Sequence, residues 1–166
     1  IPPALMPNGA IAVAAAIAGN VDLAEARASI TGTVTSSVAV FVRAQSDLDA
    51  AANADARTVD DGGGGFDLAA AVAVNVGGPT TEAAIAGNAT APAITIDTLM
   101  SGDLTHTYGA QAISGAGSGN AALAGAVAVN VGTGTSEARV DPTGSLTLTA
   151  GGALTIQSNY STVNLS

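Results

Sequence analysis

A repeat with a period of about 55 residues runs through this chain and constrains its fold more than any other feature. Residues 68–82 read LAAAVAVNVGGPTTE, and residues 123–137 read LAGAVAVNVGTGTSE. Their closing residues, Glu82 and Glu137, lie 55 positions apart. A repeat of this length, built of short strands and glycine turns, cannot bury its apolar face alone, so neighbouring copies must pack on one another.

A third, weaker copy precedes these two. It ends at Glu25, which lies 57 positions before Glu82 and is also followed by alanine. We interpret residues 1–166 as a single repetitive β domain and as a fragment of a longer chain. Its units are 9–65, 66–120 and 121–166.

Each unit contains runs in which apolar residues alternate with Thr, Ser or Asp, the pattern of a half-buried strand. Val21–Ala28 has a fair helix propensity. The equivalent positions of the other units hold Gly78-Pro79 and Gly132-Thr133-Gly134, which break helices. We therefore predict strand–turn–strand there. Other predicted strands are Ile11–Ala18, Ser37–Ala44, Ala93–Thr98 and Ser145–Ser158.

The residues available for a core are small. Hydrophobic residues make up 48% of the chain, but aromatic residues make up only 2%. Ala and Val therefore suit a narrow interior in which backbones lie close together. These features predict an all-β fold, a parallel β-solenoid with two large or three small rungs per repeat. The alternative is an antiparallel β-sandwich or an array of long hairpins.

Charge and cysteine content exclude several classes of function. The formal net charge is −9, and the four cationic residues are all Arg, so the surface repels phosphate backbones and we predict no nucleic-acid partner. Cysteine is absent, so stability cannot come from disulfides. No apolar run approaches the roughly 18–20 residues of a membrane-spanning helix.

The AVAVNV strand, its short turn and the TEA or SEA that follows resemble the repeats of giant bacterial surface proteins. These are filamentous-haemagglutinin-like adhesins and the passengers of autotransporters. Thr81–Ile85 and Ser136–Val140 fit that pattern, whereas Ala15–Gly19 departs from it. The resemblance implies a β-helical stalk exported by a Gram-negative type of bacterium. It implies no shared catalytic residues.

Two polar positions recur between units. Asn75 and Asn130 share one, and we predict that they stack and bond to backbone groups. The glutamates Glu25, Glu82 and Glu137 share the other. Arg27 and Arg139 follow two residues later, and we predict surface ion pairs, which also discourage aggregation at strand edges.

We predict no cofactor, and calcium is the one alternative. Gly62–Ala70 partly matches the calcium β-roll nonapeptide, with Asp67 as the carboxylate ligand. An acidic stretch precedes it and is interpreted as a solvated face or a weak cation site. Its residues are Asp47, Asp49, Asp55, Asp60 and Asp61.

Asp97, Asp103 and His106 form the one group with catalytic chemistry. Two carboxylates could hydrolyse a glycosidic bond, and His106, the sole histidine, could act as a general base. The Thr pairs at Thr31–Thr33 and Thr147–Thr149 are explained by ordinary strand propensity rather than by an ice-binding array.

We conclude from the sequence that the chain is not an enzyme and assign it no catalytic, cofactor or metal residues. We expect a structural or adhesive segment of an extracellular bacterial surface protein. Its expected partners are neighbouring repeats or end-to-end copies, and surface glycans or proteins. The alternatives are a carbohydrate-active β-helix and a calcium-stabilised module.

Overall fold

The structure is a computed structural model that describes residues 11–58, 65–117 and 121–165. The described part is all-β and contains no helix. Its strands are β1 (Ile11–Asp22), β2 (Glu25–Ile30), β3 (Thr33–Thr35), β4 (Val40–Ser46), β5 (Asp49–Arg57), β6 (Phe66–Gly77), β7 (Thr80–Ile85), β8 (Asn88–Met100), β9 (His106–Gly115), β10 (Ala121–Gly132), β11 (Thr135–Val140), β12 (Ser145–Ser158) and β13 (Thr162–Leu165). The strand–turn–strand prediction for Val21–Ala28 is confirmed, because β1 ends at Asp22 and β2 begins at Glu25.

The strands form four sheets, and each sheet takes strands from all three units. Sheet A is β1-β6-β10, and sheet B is β2-β7-β11. Sheet C places β3 and β4 in succession along β8, with β12 on its other side, and sheet D is β5-β9-β13. Every described ladder is parallel, so the antiparallel sandwich and the hairpin array are wrong.

The number of rungs predicted for each repeat is also wrong. Strands of one unit do not pair with each other in the described residues, as they would if a unit held two or three stacked rungs. Each unit instead passes once through all four sheets. The strands of sheet A are too long for small rungs, since β1, β6 and β10 each have twelve residues.

The register corrects the alignment of the first unit. In sheets A and B the partners lie 55 positions apart throughout, so Glu25 pairs with Thr80, not with Glu82. Arg27 is the partner of Glu82. The outward positions of sheet B hold different charged and polar residues in different units, so the Glu-Ala dipeptide shared by the units predicted the wrong alignment for the first unit. The inward position of Asn20 opposite Asn75 preserves the register instead.

Three clusters of buried residues lie between the sheets, and the smallest consists of Leu48, Ala50 and Tyr108. The inward faces of sheets A and D meet in a cluster made only of alanine, which includes Ala71, Ala73 and Ala110. The inward faces of sheets B and C meet in a cluster with larger side chains, among them Ile85 and Ile96. Small side chains allow the A and D backbones to approach closely, whereas the B and C side needs branched residues to fill a wider space.

Candidate functional site

A ladder of three asparagines crosses sheet A on its inward face, two residues before the C-terminal ends of β1, β6 and β10. Asn20 Nδ2 donates to Asn75 Oδ1 at 2.9 Å, and Asn75 Nδ2 donates to Asn130 Oδ1 at 3.0 Å. Asn75 is fully buried. The predicted stacking of Asn75 and Asn130 is confirmed, and the sequence interpretation missed Asn20 because it used a spacing of 57.

The ladder also joins sheet A to sheet D. Asn75 Nδ2 donates to the carbonyl oxygen of Ala50 at 2.9 Å, and Asn130 Nδ2 donates to that of Tyr108 at 2.6 Å. A buried amide in this arrangement is satisfied only when the three units stand in one register. The asparagines therefore have a structural role, because their amides are used within the fold.

The charged residues of sheet B form a network across the outward face. Arg139 contacts Glu82 at 2.5 Å and Glu137 at 2.9 Å, and its Nε donates to Asp141. Arg27 pairs with Glu25 and lies 3.6 Å from Glu82. Neighbouring carboxylates raise the pKa of Arg139, with the hydrogen bond to Asp141 as the main cause. Such exposed pairs contribute little to stability, because solvent screens the charges.

Asp97 does not join a catalytic group. Its two oxygens accept from Arg43 Nε and Nη2 at 2.9 and 2.7 Å, and its side chain is buried in sheet C. Asp103 lies in the turn before β9, where Oδ1 accepts from the backbone N–H of Thr105 at 3.0 Å. Both carboxylates are engaged in local structure and are not presented together to a substrate.

His106 begins β9 and is buried. Its Nδ1 accepts from the backbone N–H of Leu48 at 3.0 Å, so the nitrogen that would take a proton is already occupied. Burial lowers the pKa of His106, and the nearby carboxylates of Asp47, Asp49 and Asp103 oppose that shift. The structure therefore brings His106 near Asp103 but keeps the imidazole out of solvent, and this burial disfavours its charged form.

An aromatic group surrounds His106, and no sequence pattern indicated it. The rings of Tyr108 and Tyr160 lie 6.5 and 5.4 Å from the imidazole. Tyr108 is fully buried, and among the described residues its hydroxyl is the buried side-chain polar atom without a hydrogen-bond partner. Burial raises the pKa of Tyr108. The ring packs against Gly77 and Gly132, where a Cβ atom would collide with it.

The calcium motif lies partly outside the described residues, as do Asp60 and Asp61. Asp67 is buried on the inward face of β6. Of the other acidic residues, Asp55 pairs with Arg57 at 2.8 Å, and Asp49 accepts from the Thr107 N–H. Within residues 11–58, 65–117 and 121–165, no three His, Cys, Asp or Glu side chains form a cluster that could hold a metal ion.

The threonines of sheet C are more regular than the sequence indicated. Thr35, Thr90 and Thr147 are register partners and form one outward row across three units. The neighbouring row holds Thr33, Asn88 and Ser145. One threonine row is too narrow to make a repeated two-dimensional array, so ordinary strand propensity still accounts for it.

The outward face of sheet A carries no polar side chain along its three described strands. The inward residues of sheet A are mainly alanine, and the larger apolar residues of β1, β6 and β10 point to solvent. We call this surface the apolar face. Its register rows are Ile11-Phe66-Ala121, Val13-Leu68-Leu123, Ala15-Ala70-Gly125, Ile17-Val72-Val127, Gly19-Val74-Val129 and Val21-Val76-Val131.

A hollow of about 310 Å³ lies beside the turn that precedes β9. Leu99, Met100, Leu104 and Tyr160 line it, with Asn159 and Ser161. Leu104 adopts a φ of 65°, which is uncommon for a branched side chain. None of these described lining residues carries a charge at neutral pH.

Comparison with protein-family models, curated proteins and solved structures finds no match for this chain. Across the ranges that the structure describes, no helix has the length and hydrophobicity needed to cross a membrane.

Proposed function

We propose that this chain is a parallel β-solenoid segment of a large extracellular bacterial surface protein, with a structural and adhesive role. The repeated strand order supports a solenoid, since each unit supplies sheets A, B, C and D in the same sequence. The repeat supports this role, because a fold that is extended by copying one unit can present surface or add length.

The observation that carries this proposal is the way in which the units stack on one another. In sheets A and B the strands of all three units pair in parallel at a constant spacing of 55 positions. In sheet C, Ile94 and Ile96 of the second unit lie between the strands of the other two units and are 0% exposed. The apolar side chains of the central unit are therefore buried by its neighbours, as expected of a repeat that extends by stacking.

The proportions of a unit favour the adhesive role over that of a spacer. One repeat adds a single strand to each sheet, which lengthens the stack by only about 4.8 Å. The same repeat adds a strip about 40 Å long to sheet A, since β6 has twelve residues at roughly 3.3 Å each. The chain therefore provides much more lateral surface than length.

The experiment that tests this proposal inserts a second copy of residues 66–120 after residue 120. We expect the melting temperature to rise, because each interface between units adds to stability, and the particle height to grow by about 4.8 Å. The matched control inserts the same segment with its residues in scrambled order. An insert that lowers the melting temperature as much as the scrambled control would contradict a stackable unit.

Adhesion is tested with the lengthened protein on arrays of bacterial and host glycans and surface proteins. Binding that increases with the number of repeats would support the adhesive role. Equal binding by proteins of three and four units would count against it, since the added lateral surface would then have no effect.

A further inference from the structure

The apolar face has the opposite arrangement to an ordinary two-faced sheet. In such a sheet the large apolar side chains face the core and the polar ones face water. In β1 the core side holds Ala14 and Ala16, whereas Ile17 and Val21 are 75% and 69% exposed. The central strand β6 repeats this pattern, with Ala73 buried and Phe66 and Val74 42% and 36% exposed. Such a large continuous apolar surface marks an interaction site.

The charge distribution limits what can cover this face. The chain carries a formal net charge of −9, yet every outward residue of sheet A is Ala, Gly, Val, Ile, Leu or Phe. The outward face of sheet B holds Glu25, Glu82 and Glu137, and that of sheet D holds Asp49 and Asp55. Two copies can therefore meet through the apolar face without bringing carboxylates together.

The size of the face fits association between two copies. Three strands at about 4.8 Å and twelve residues at roughly 3.3 Å give a patch of about 570 Å² on each copy. Face-to-face packing would bury about 1,100 Å² in total, near the lower limit for a specific interface. The pairing of two three-unit chains should therefore be measurable but weak, and each added repeat should strengthen it.

We infer that the apolar face is a docking surface for a second copy of this chain, which packs sheet A against sheet A. The contact is isologous, with one two-fold axis, so it closes as a dimer and does not grow into a fibre. Aligned packing of two twisted sheets at about 10 Å separation lets the rows of Val, Ile and Leu interdigitate. This inference does not depend on the proposed surface-protein role.

Sedimentation velocity of the full chain from about 1 µM to 1 mM tests the inference. The test variant combines Ile17→Thr, Val72→Thr and Val127→Thr, which changes one whole row while keeping strand propensity. The control variant replaces three exposed apolar residues elsewhere, namely Val38→Thr, Phe41→Thr and Val163→Thr. A second variant, Val127→Lys, places one charge on the edge strand and guards against misfolding of the triple variant.

We expect a discrete monomer–dimer equilibrium for the wild type and for the control. The dissociation constant of the row variant and of Val127→Lys should rise about tenfold or more. A wild type that stays monomeric to about 1 mM overturns the inference, and so does equal association by all variants. An open series of larger oligomers without a discrete dimer would show end-to-end stacking and would also overturn the inference. Flotation of the protein with phosphatidylcholine vesicles, again without a dimer, would identify a lipid surface as the partner and would overturn it too.

Discussion

Replacing Asn75 with alanine removes the central amide of the asparagine ladder. Its Nδ2 donates to Ala50 O and to Asn130 Oδ1, and its Oδ1 accepts from Asn20, all within 3.0 Å. The Ala50 carbonyl is buried and would lose its side-chain donor, which costs about 1–3 kcal/mol. The two neighbouring amides are partly exposed and can turn to water, so each adds roughly 0.5–1 kcal/mol.

The expected loss is therefore about 3 kcal/mol in the free energy of unfolding, or roughly 6–12 °C in melting temperature for a chain of this size. Urea and thermal unfolding monitored by circular dichroism measure it. Asn88→Ala is the matched control, because Asn88 is exposed and makes one long hydrogen bond of 3.5 Å to Thr33. An Asn75→Ala protein that unfolds like the Asn88→Ala protein would refute the argument that the buried ladder holds the units in register.

Two further predictions concern the aromatic group. Gly77→Ala should lower the free energy of unfolding by about 1–3 kcal/mol, because the added Cβ would collide with the Tyr108 ring. The control Gly125→Ala adds a Cβ that meets nothing within 4 Å, so it should be neutral or stabilising by roughly 0.5 kcal/mol. Equal melting temperatures for the two variants would contradict this packing. Burial lowers the pKa of His106 in the folded chain, so the unfolded chain, with an ordinary pKa of about 6.5, binds the proton first as the pH falls. The melting temperature should therefore decrease as the pH is lowered from about 7 to about 5, and His106→Asn should weaken this decrease. An equal dependence of melting temperature on pH in both proteins would show that His106 is not responsible.

Much of the fold follows from the repeat. The identical AVAVNVG segments predict the pairing of β6 with β10, and Glu82 with Glu137 predicts that of β7 with β11. The strand periodicity predicted β12 over Ser145–Ser158. These predictions succeeded because equivalent positions in stacked units must adopt one structure.

The register of the first unit was harder to predict for a physical reason. On the outward face of sheet B, Arg27, Glu82 and Glu137 occupy one row, since exposed positions tolerate either charge. The inward amide of Asn20 is constrained by its partners and carried the correct signal. Alternation of period two also does not say which of two apolar sets faces inward, so the exposed valines of sheet A could not be predicted.

The candidate site shows a similar limit. Asp97, Asp103 and His106 are close in sequence, but strand β8 places Asp97 in an ion pair with Arg43, and the turn before β9 separates it from the other two. Distance along a sequence does not predict a shared pocket when a strand end intervenes. The group of His106 with Tyr108 and Tyr160 depends on the pairing of distant units, which leaves no local pattern.

The central claim is the parallel stacking of units, with a spacing of 55 positions in sheets A and B and between β3 and β8. Engineered disulfides test it most directly, because the chain has no cysteine of its own. Thr35 and Thr90 are register partners on the outward face of sheet C, so cysteines there lie about 4.8 Å apart at Cα and within disulfide reach. Thr33 with Thr90 represents a spacing of 57, at a Cα distance of about 8 Å. We predict that Thr35→Cys with Thr90→Cys oxidises to an intramolecular disulfide and that Thr33→Cys with Thr90→Cys does not. Cross-linking of the second pair in preference to the first would contradict the account.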